Sequence, residues 1–263
     1  MNAPTFDIGL NLSSDRFRND LHDVLERAFD AGVAGMLLTG SNAADSRAAR
    51  ALCDHHPERL WSTSGCHPHD AARCDDAAFA AITKLATDPQ VRAIGECGLD
   101  FNRDFSPRDD QEAVFRRHLG LARDTGKPLF LHERDAAERF LAIVDEEDGP
   151  FHGVVHCFTG DEATMHAYLE RGYHIGITGW ICDERRGTHL RSLVRDIPAD
   201  RLLIETDAPY LTPRTLRPKP KGGRNEPAFL PHIAAAIAEC RGESLEELAS
   251  ATTANARRLF GVE

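Results

Sequence analysis

The residues best suited to chemistry stand where short apolar runs end. Val91–Ile94 ends on Gly95-Glu96-Cys97-Gly98, Leu129-Phe130-Leu131 on His132, and Val154-Val155 on His156. Leu202-Leu203-Ile204 ends on Glu205-Thr206-Asp207, and Leu60–Ser64 on Gly65-Cys66-His67-Pro68-His69. Each has an ordinary explanation alone: a hydrogen-bonded core histidine, or a cap such as Asp207 before Ala208-Pro209. Their recurrence at one kind of position argues for a metal site. Glu96, His132 and His156 form a carboxylate with two imidazoles and open positions, a donor set for Zn, Mn or Fe, with Mg favoured where oxygen and water dominate. Such an ion acidifies water and polarises a phosphoryl or carbonyl oxygen. Asp207 is then a general base, needing a reach of about 3 Å to the attacking water, or a further ligand.

The segment after Asp207 is strongly biased. From Ala208 to Asn225 it carries Arg214, Arg217, Lys219, Lys221 and Arg224, no acidic residue, and Pro213, Pro218 and Pro220. A stiff cationic lip beside a metal site suits a phosphate-bearing substrate, so a phosphodiester is favoured over an amide. His67, His69 and Arg134 are further candidate donors to phosphate oxygens.

The elements that must position these groups alternate along the chain. Strands are expected at Phe6–Leu10, Val33–Leu38, Leu60–Ser64, Val91–Gly95, Pro128–Leu131, Gly153–His156, Tyr173–Ile177 and Arg201–Ile204. Amphipathic helical patterns lie between them, as in Arg18–Asp30, Asp109–Thr125 and Asp135–Val144. A tail adds Leu245–Ser250 and Ala254–Phe260, with Ser244-Leu245-Glu246-Glu247 matching a capping box. Eight strands each followed by a helix give the count of a (β/α)8 TIM barrel, whose functional groups sit at the C-terminal strand ends. A doubly wound sheet is the alternative, but no Gly-x-Gly-x-x-Gly follows the first strand.

The chain has 263 residues, 41% hydrophobic and 28% charged, within the range of a single (β/α)8 domain spanning 1–263. No linker composition interrupts it. The net charge of −11 argues against a protein that coats nucleic acid with a broad basic face, though not against one gripping a few phosphates. The seven cysteines are scattered without a C-x-x-C pair, which fits reduced thiols in the cytoplasm. No signal peptide, membrane span or obligate protein partner is expected, and the chain reads as a monomer.

Six ordered motifs carry a family resemblance: Gly65-Cys66-His67-Pro68-His69; Ile94-Gly95-Glu96-Cys97-Gly98-Leu99-Asp100; His132-Glu133-Arg134-Asp135-Ala136; Val155-His156-Cys157-Phe158-Thr159-Gly160; Glu205-Thr206-Asp207-Ala208-Pro209-Tyr210-Leu211; and Arg224-Asn225-Glu226-Pro227. Together, from Phe6-Asp7 to Leu259-Phe260-Gly261, they resemble the TatD-type deoxyribonucleases, amidohydrolase-like metal hydrolases. Ile175–Trp180 and Cys182–Arg186 look like one branch of that family. The resemblance implies a (β/α)8 fold, a divalent metal (Mg²⁺ in use, Zn²⁺ or Mn²⁺ able to occupy the site) and 3′→5′ exonuclease action on single-stranded DNA or RNA 3′ ends, with a part in DNA repair. It implies Glu96, His132 and His156 as ligands and Asp207 as ligand or base. One departure stands out: most of the family carries His-x-His after the first strand, where this chain has Gly9 and Asn11, so a second metal position is expected to be empty or weakly held. Two alternatives remain, a metal-dependent ester or amide hydrolase such as a D-aminoacyl-tRNA deacylase, and a non-catalytic barrel.

Overall fold

The expected apolar runs become strands. In the computed structural model, which describes residues 3–262, they are β1 (Thr5–Leu10), β2 (Val33–Leu38), β3 (Leu60–Ser64), β4 (Val91–Asp100), β5 (Leu129–Arg134), β6 (Gly153–Val155), β7 (His174–Ile177) and β8 (Leu202–Ile204). They join one eight-stranded sheet in chain order, and the β3–β4, β4–β5, β5–β6 and β7–β8 pairings are parallel. Parallel neighbours need a crossover, and helices supply it. These are α1 (Leu21–Asp30), α2 (Ala43–Leu52), α3 (Asp76–Leu85), α4 (Arg108–Thr125), α5 (Ala137–Glu146), α6 (Glu162–Glu170), α7 (Leu190–Leu193), α8 (Leu230–Arg241) and α9 (Leu245–Phe260). The fold class is (β/α)8.

The chain divides into two compact units. One comprises Met1–Leu37, Cys157–Leu169 and His174–Glu263; the other comprises Leu38–His156 with Glu170–Tyr173. In the second unit Ile94, Phe130, Leu131 and Val154 of the strands are wholly buried, and Phe115 of α4 stacks on Phe140 of α5 with ring centroids 4.7 Å apart. In the first unit Ile8, Leu10, Ile175, Leu203 and Ile204 are buried with Ile233 and Ile237 of α8 and Ala249 of α9. Burial of apolar surface on this scale supplies the main driving force for each unit.

Three local differences from the sequence expectation have physical causes. The tail is one helix, α9, because Thr252 returns its hydroxyl to the Leu248 carbonyl (2.9 Å) and so breaks nothing. The expected Ser244–Glu247 capping box starts it. Helix α5 begins two residues after the expected Asp135, which adopts a left-handed φ of 53° while Glu133 accepts the Ala136 N–H at 2.7 Å. Strand β4 runs five residues past its expected end at Gly95, and this difference builds the site.

Candidate metal centre and active site

Along β4 and β5 the register pairs Gly95 with Phe130 and then Cys97 with Leu131, leaving Glu96 as the extra residue of a β-bulge. The flanking glycines make this possible. A Cβ on Gly95 (φ 141°) would lie 2.1 Å from the Phe130 carbonyl oxygen, and one on Gly98 (φ 140°) would lie 1.9 Å from that of His132. Only glycine lets the strands approach this closely, so the expected turn is a bulge inside a continuous strand.

The bulge aims Glu96 at three imidazoles. Its Oε1 lies 2.7 Å from His156 Nε2, 3.0 Å from His132 Nδ1 and 3.4 Å from His67 Nε2. The ligand atoms of His67, Glu96 and His132 all fall within 4.8 Å of one another. Phe130 stacks on His156 at 4.5 Å and fixes its ring. On the far side of His132, Asp100 Oδ2 sits 3.4 Å from Nε2, and the same oxygen is 2.7 Å from His69 Nε2. His132 and Arg134 are two apart on β5 and so share one face.

The bonding of His67 fixes its role. Its Nδ1 accepts the His69 backbone N–H at 3.0 Å, so the neutral ring carries its hydrogen on Nε2, which faces Glu96. That tautomer donates and does not ligate. His132 has the complementary arrangement: Asp100 backs its Nε2, the carboxylate–histidine pattern that orients metal ligands, and its Nδ1 points at the Glu96 carboxylate, donating there until an ion takes the place of that hydrogen. A carboxylate oxygen with imidazole nitrogens of His132 and His156 therefore fits a divalent ion.

The electrostatics agree with a densely charged site. Burial pushes the Glu96 carboxyl up, but the imidazoles of His67, His156 and His132 that face it hold it well below the usual range. Burial drives His67 down to about 3 against the pull of Glu96. Burial also opposes the charged form of His132, yet its bonds to Asp100 and Glu96 raise it. Asp100 is lowered, its burial outweighed by the bonds from His132 and His69.

The remaining expected residue, Asp207, belongs to the other unit and follows β8. It adopts a left-handed φ of 54°, its N–H donates to the Gly9 carbonyl (2.8 Å), and Asn11 donates its amide to Oδ1 (3.3 Å). Buried Asp7 braces the same turn by accepting the Thr206 hydroxyl (2.6 Å) and N–H (3.0 Å). Burial pushes Asp7 up to about 7 despite those bonds.

Comparison with known proteins decides the family. The model of the TatD related DNase family matches residues 6–261. The chain belongs to the TatD related DNase family. A relative from Salmonella typhimurium, "3'-5' ssDNA/RNA exonuclease TatD", is 54% identical over 98% of this chain and 99% of its own length. The protein of the same name from Escherichia coli K12 is 52% identical over the same shares. The solved structure of the TatD homolog YJJV from Escherichia coli K12 superposes with a TM-score of 0.90 at 27% identity, covering 98% of both chains.

As a TatD-family chain, it shows how the missing His-x-His is used: the Gly9 carbonyl and the Asn11 amide hold Asp207. The basic lip is only partly available. Arg224 is committed to Asp20 (2.6 and 2.8 Å) and Glu226 (2.7 Å), whereas Arg214 and Lys219 line a cavity of about 290 Å³ with Pro213 and Pro220. Sequence reasoning gave no role to Asp100, although two-residue alternation continued from Glu96 through the glycines would have put it on the same face. It also passed over His118 of α4, which accepts the Cys66 N–H at Nε2 (3.1 Å) and anchors the loop carrying His67 and His69.

Proposed function

We propose that this chain is a divalent-metal-dependent 3′→5′ exonuclease hydrolysing phosphodiester bonds of single-stranded DNA and RNA. In this reading residues 1–263 act as one catalytic domain, as a monomer in the cytoplasm, in DNA repair and nucleic-acid turnover. The observation that carries it is the convergence of three imidazoles on one oxygen of Glu96 in a TatD-family chain. All seven cysteines are free, consistent with a reducing compartment, and no helix among the described residues is long and apolar enough to cross a membrane.

Glu96, His132 and His156 would hold the ion, Mg²⁺ in use, with Asp207 as base or further ligand. A divalent ion there supplies a Lewis acid for a phosphoryl oxygen and lowers the pKa of water. The chain's own groups do the rest. Asp207 takes the proton of the attacking water. His67, whose Nε2–H faces Glu96, would turn that hydrogen to a non-bridging phosphate oxygen once Glu96 is engaged with the ion, and Arg134 adds charge to the same end of β5. His69 has Nε2 on Asp100, so any donation to phosphate runs through Nδ1. Asp100 keeps His132 in the ligating tautomer.

The test is purified protein with Mg²⁺ or Mn²⁺ and 3′-labelled single strands, beside an aminoacyl ester. Release of labelled mononucleotide with the ester left intact is expected. Consumption of the ester alone would replace the nuclease reading with carbonyl chemistry.

A further inference from the structure

Among the described residues three large apolar side chains are prominently exposed, and Phe105 is the most exposed at 67%. Its surroundings are those of a built feature. A row of rings in edge contact runs outward from the cluster: His132 to His67 at 4.3 Å, His67 to His69 at 4.2 Å, and His69 to Phe105 at 4.7 Å. The loop that carries Phe105 is stapled on both sides. Asp100 Oδ1 accepts the N–H groups of Asn102 and Arg103, and Asp104, left-handed at φ 48°, is held by both arms of Arg108 at 3.0 and 2.8 Å. Immediately after Phe105, buried Ser106 donates to the His69 carbonyl (2.9 Å), accepts the Ala72 N–H (3.1 Å) and gives its own carbonyl to Gln111 (2.9 Å). A loop so restrained could have turned its aromatic inward. It instead presents the ring to water beside the candidate phosphate-cleaving centre.

We propose that Phe105 is a base-stacking subsite: its outer face receives an unpaired nucleobase of the strand whose phosphate lies at Glu96 and the histidines. This rests on the nuclease reading and deepens it. Every base has a π-face, so one aromatic platform accepts any sequence, but it needs the base out of a duplex. The subsite therefore selects single strands without reading sequence, and suits a protein whose net charge of −11 precludes broad backbone gripping.

The test compares wild type, Phe105→Ala and Phe105→Trp on single-stranded oligonucleotides, intact or with one abasic nucleotide placed in turn at the first, second or third position from the 3′ end. Phe105→Ala should raise KM about ten- to a hundredfold, with kcat changing less and thermal melting unchanged, and Phe105→Trp should restore it. At one position the abasic substitution should cost wild type a similar factor and cost Phe105→Ala nothing. Fluorescence anisotropy of the same strands in EDTA reads affinity apart from turnover. A protein that binds with this Phe105-dependent preference for a base yet cuts nothing keeps the subsite and loses the nuclease reading. A protein that cuts, with Phe105→Ala matching wild type on every strand, keeps the nuclease reading and overturns the subsite. Absence of any base-dependent affinity or KM also overturns it.

Discussion

At the scale of single residues, the site is organised by which nitrogen of each histidine carries a hydrogen. His67 receives a backbone N–H at Nδ1, while His132 is backed by Asp100 at Nε2, so two similar rings are committed to opposite tasks. Glu96→Gln keeps the shape but removes the charge that both metal and imidazoles need, and Asp207→Asn removes the proposed base. Each should lower kcat by about 10²–10⁴-fold in the 3′-release assay. His118 makes a separate prediction about stability. Burial holds its imidazole down to about 4, against about 6.5 in an unfolded chain. The unfolded chain thus binds a proton between those values that the folded chain refuses, so stability contributed by neutral His118 is complete above about pH 6.5 and is lost as pH falls toward 4. The loss amounts to about 3 kcal/mol. In urea titrations across that range, His118→Gln should show a shallower fall than wild type, and parallel profiles would refute the assignment.

At the scale of elements, strand β4 is the decisive piece. Its bulge exists because Gly95 and Gly98 admit the carbonyls of β5, and it converts a residue at a strand end into one aimed across the sheet at three histidines. Gly98→Ala would set a Cβ 1.9 Å from the His132 carbonyl oxygen at a φ of 140°. It should cost about 2–3 kcal/mol and lower metal affinity along with stability, measured by melting with and without Mn²⁺. Helix α9 offers the contrast. Ser244→Ala breaks the capping box and should cost about 1 kcal/mol with kcat unchanged. Left-handed non-glycine residues also follow several strands: Asp104 after β4, Asp135 after β5, Cys157 after β6 and Asp207 after β8. Strained backbone at such positions is tolerated where surrounding bonds over-determine it, as the Glu205 carboxylate does by accepting the Cys157 N–H at 2.5 Å.

At the scale of the whole molecule, acidity and nuclease chemistry are reconciled by concentrating the few useful cations. With Arg224 committed to Asp20 and Glu226 and Arg214 lying 3.8 Å from Asp183, few cations can be spared for phosphates, which predicts a log–log salt slope of only about −2 to −3 for single-strand affinity. A much steeper slope would mean that an extended basic track has been overlooked. The strands were legible because each is a short apolar run bounded by polar or glycine residues, and the cluster of Glu96, His132 and His156 was legible because each closes such a run; Asp207 closes one too, and its part in the site is a proposal. The bulge was not, since it depends on Gly95 meeting Phe130, far along the chain. Nor were the roles of Asp100 and His118, which act through His132 and Cys66 on other elements. The central claim is that Glu96, His132 and His156 share one divalent ion. Anomalous diffraction from crystals soaked in Mn²⁺ tests it most directly: a single strong peak ligated by all three is predicted, and their remaining bonded to one another, with the metal elsewhere, would contradict the account.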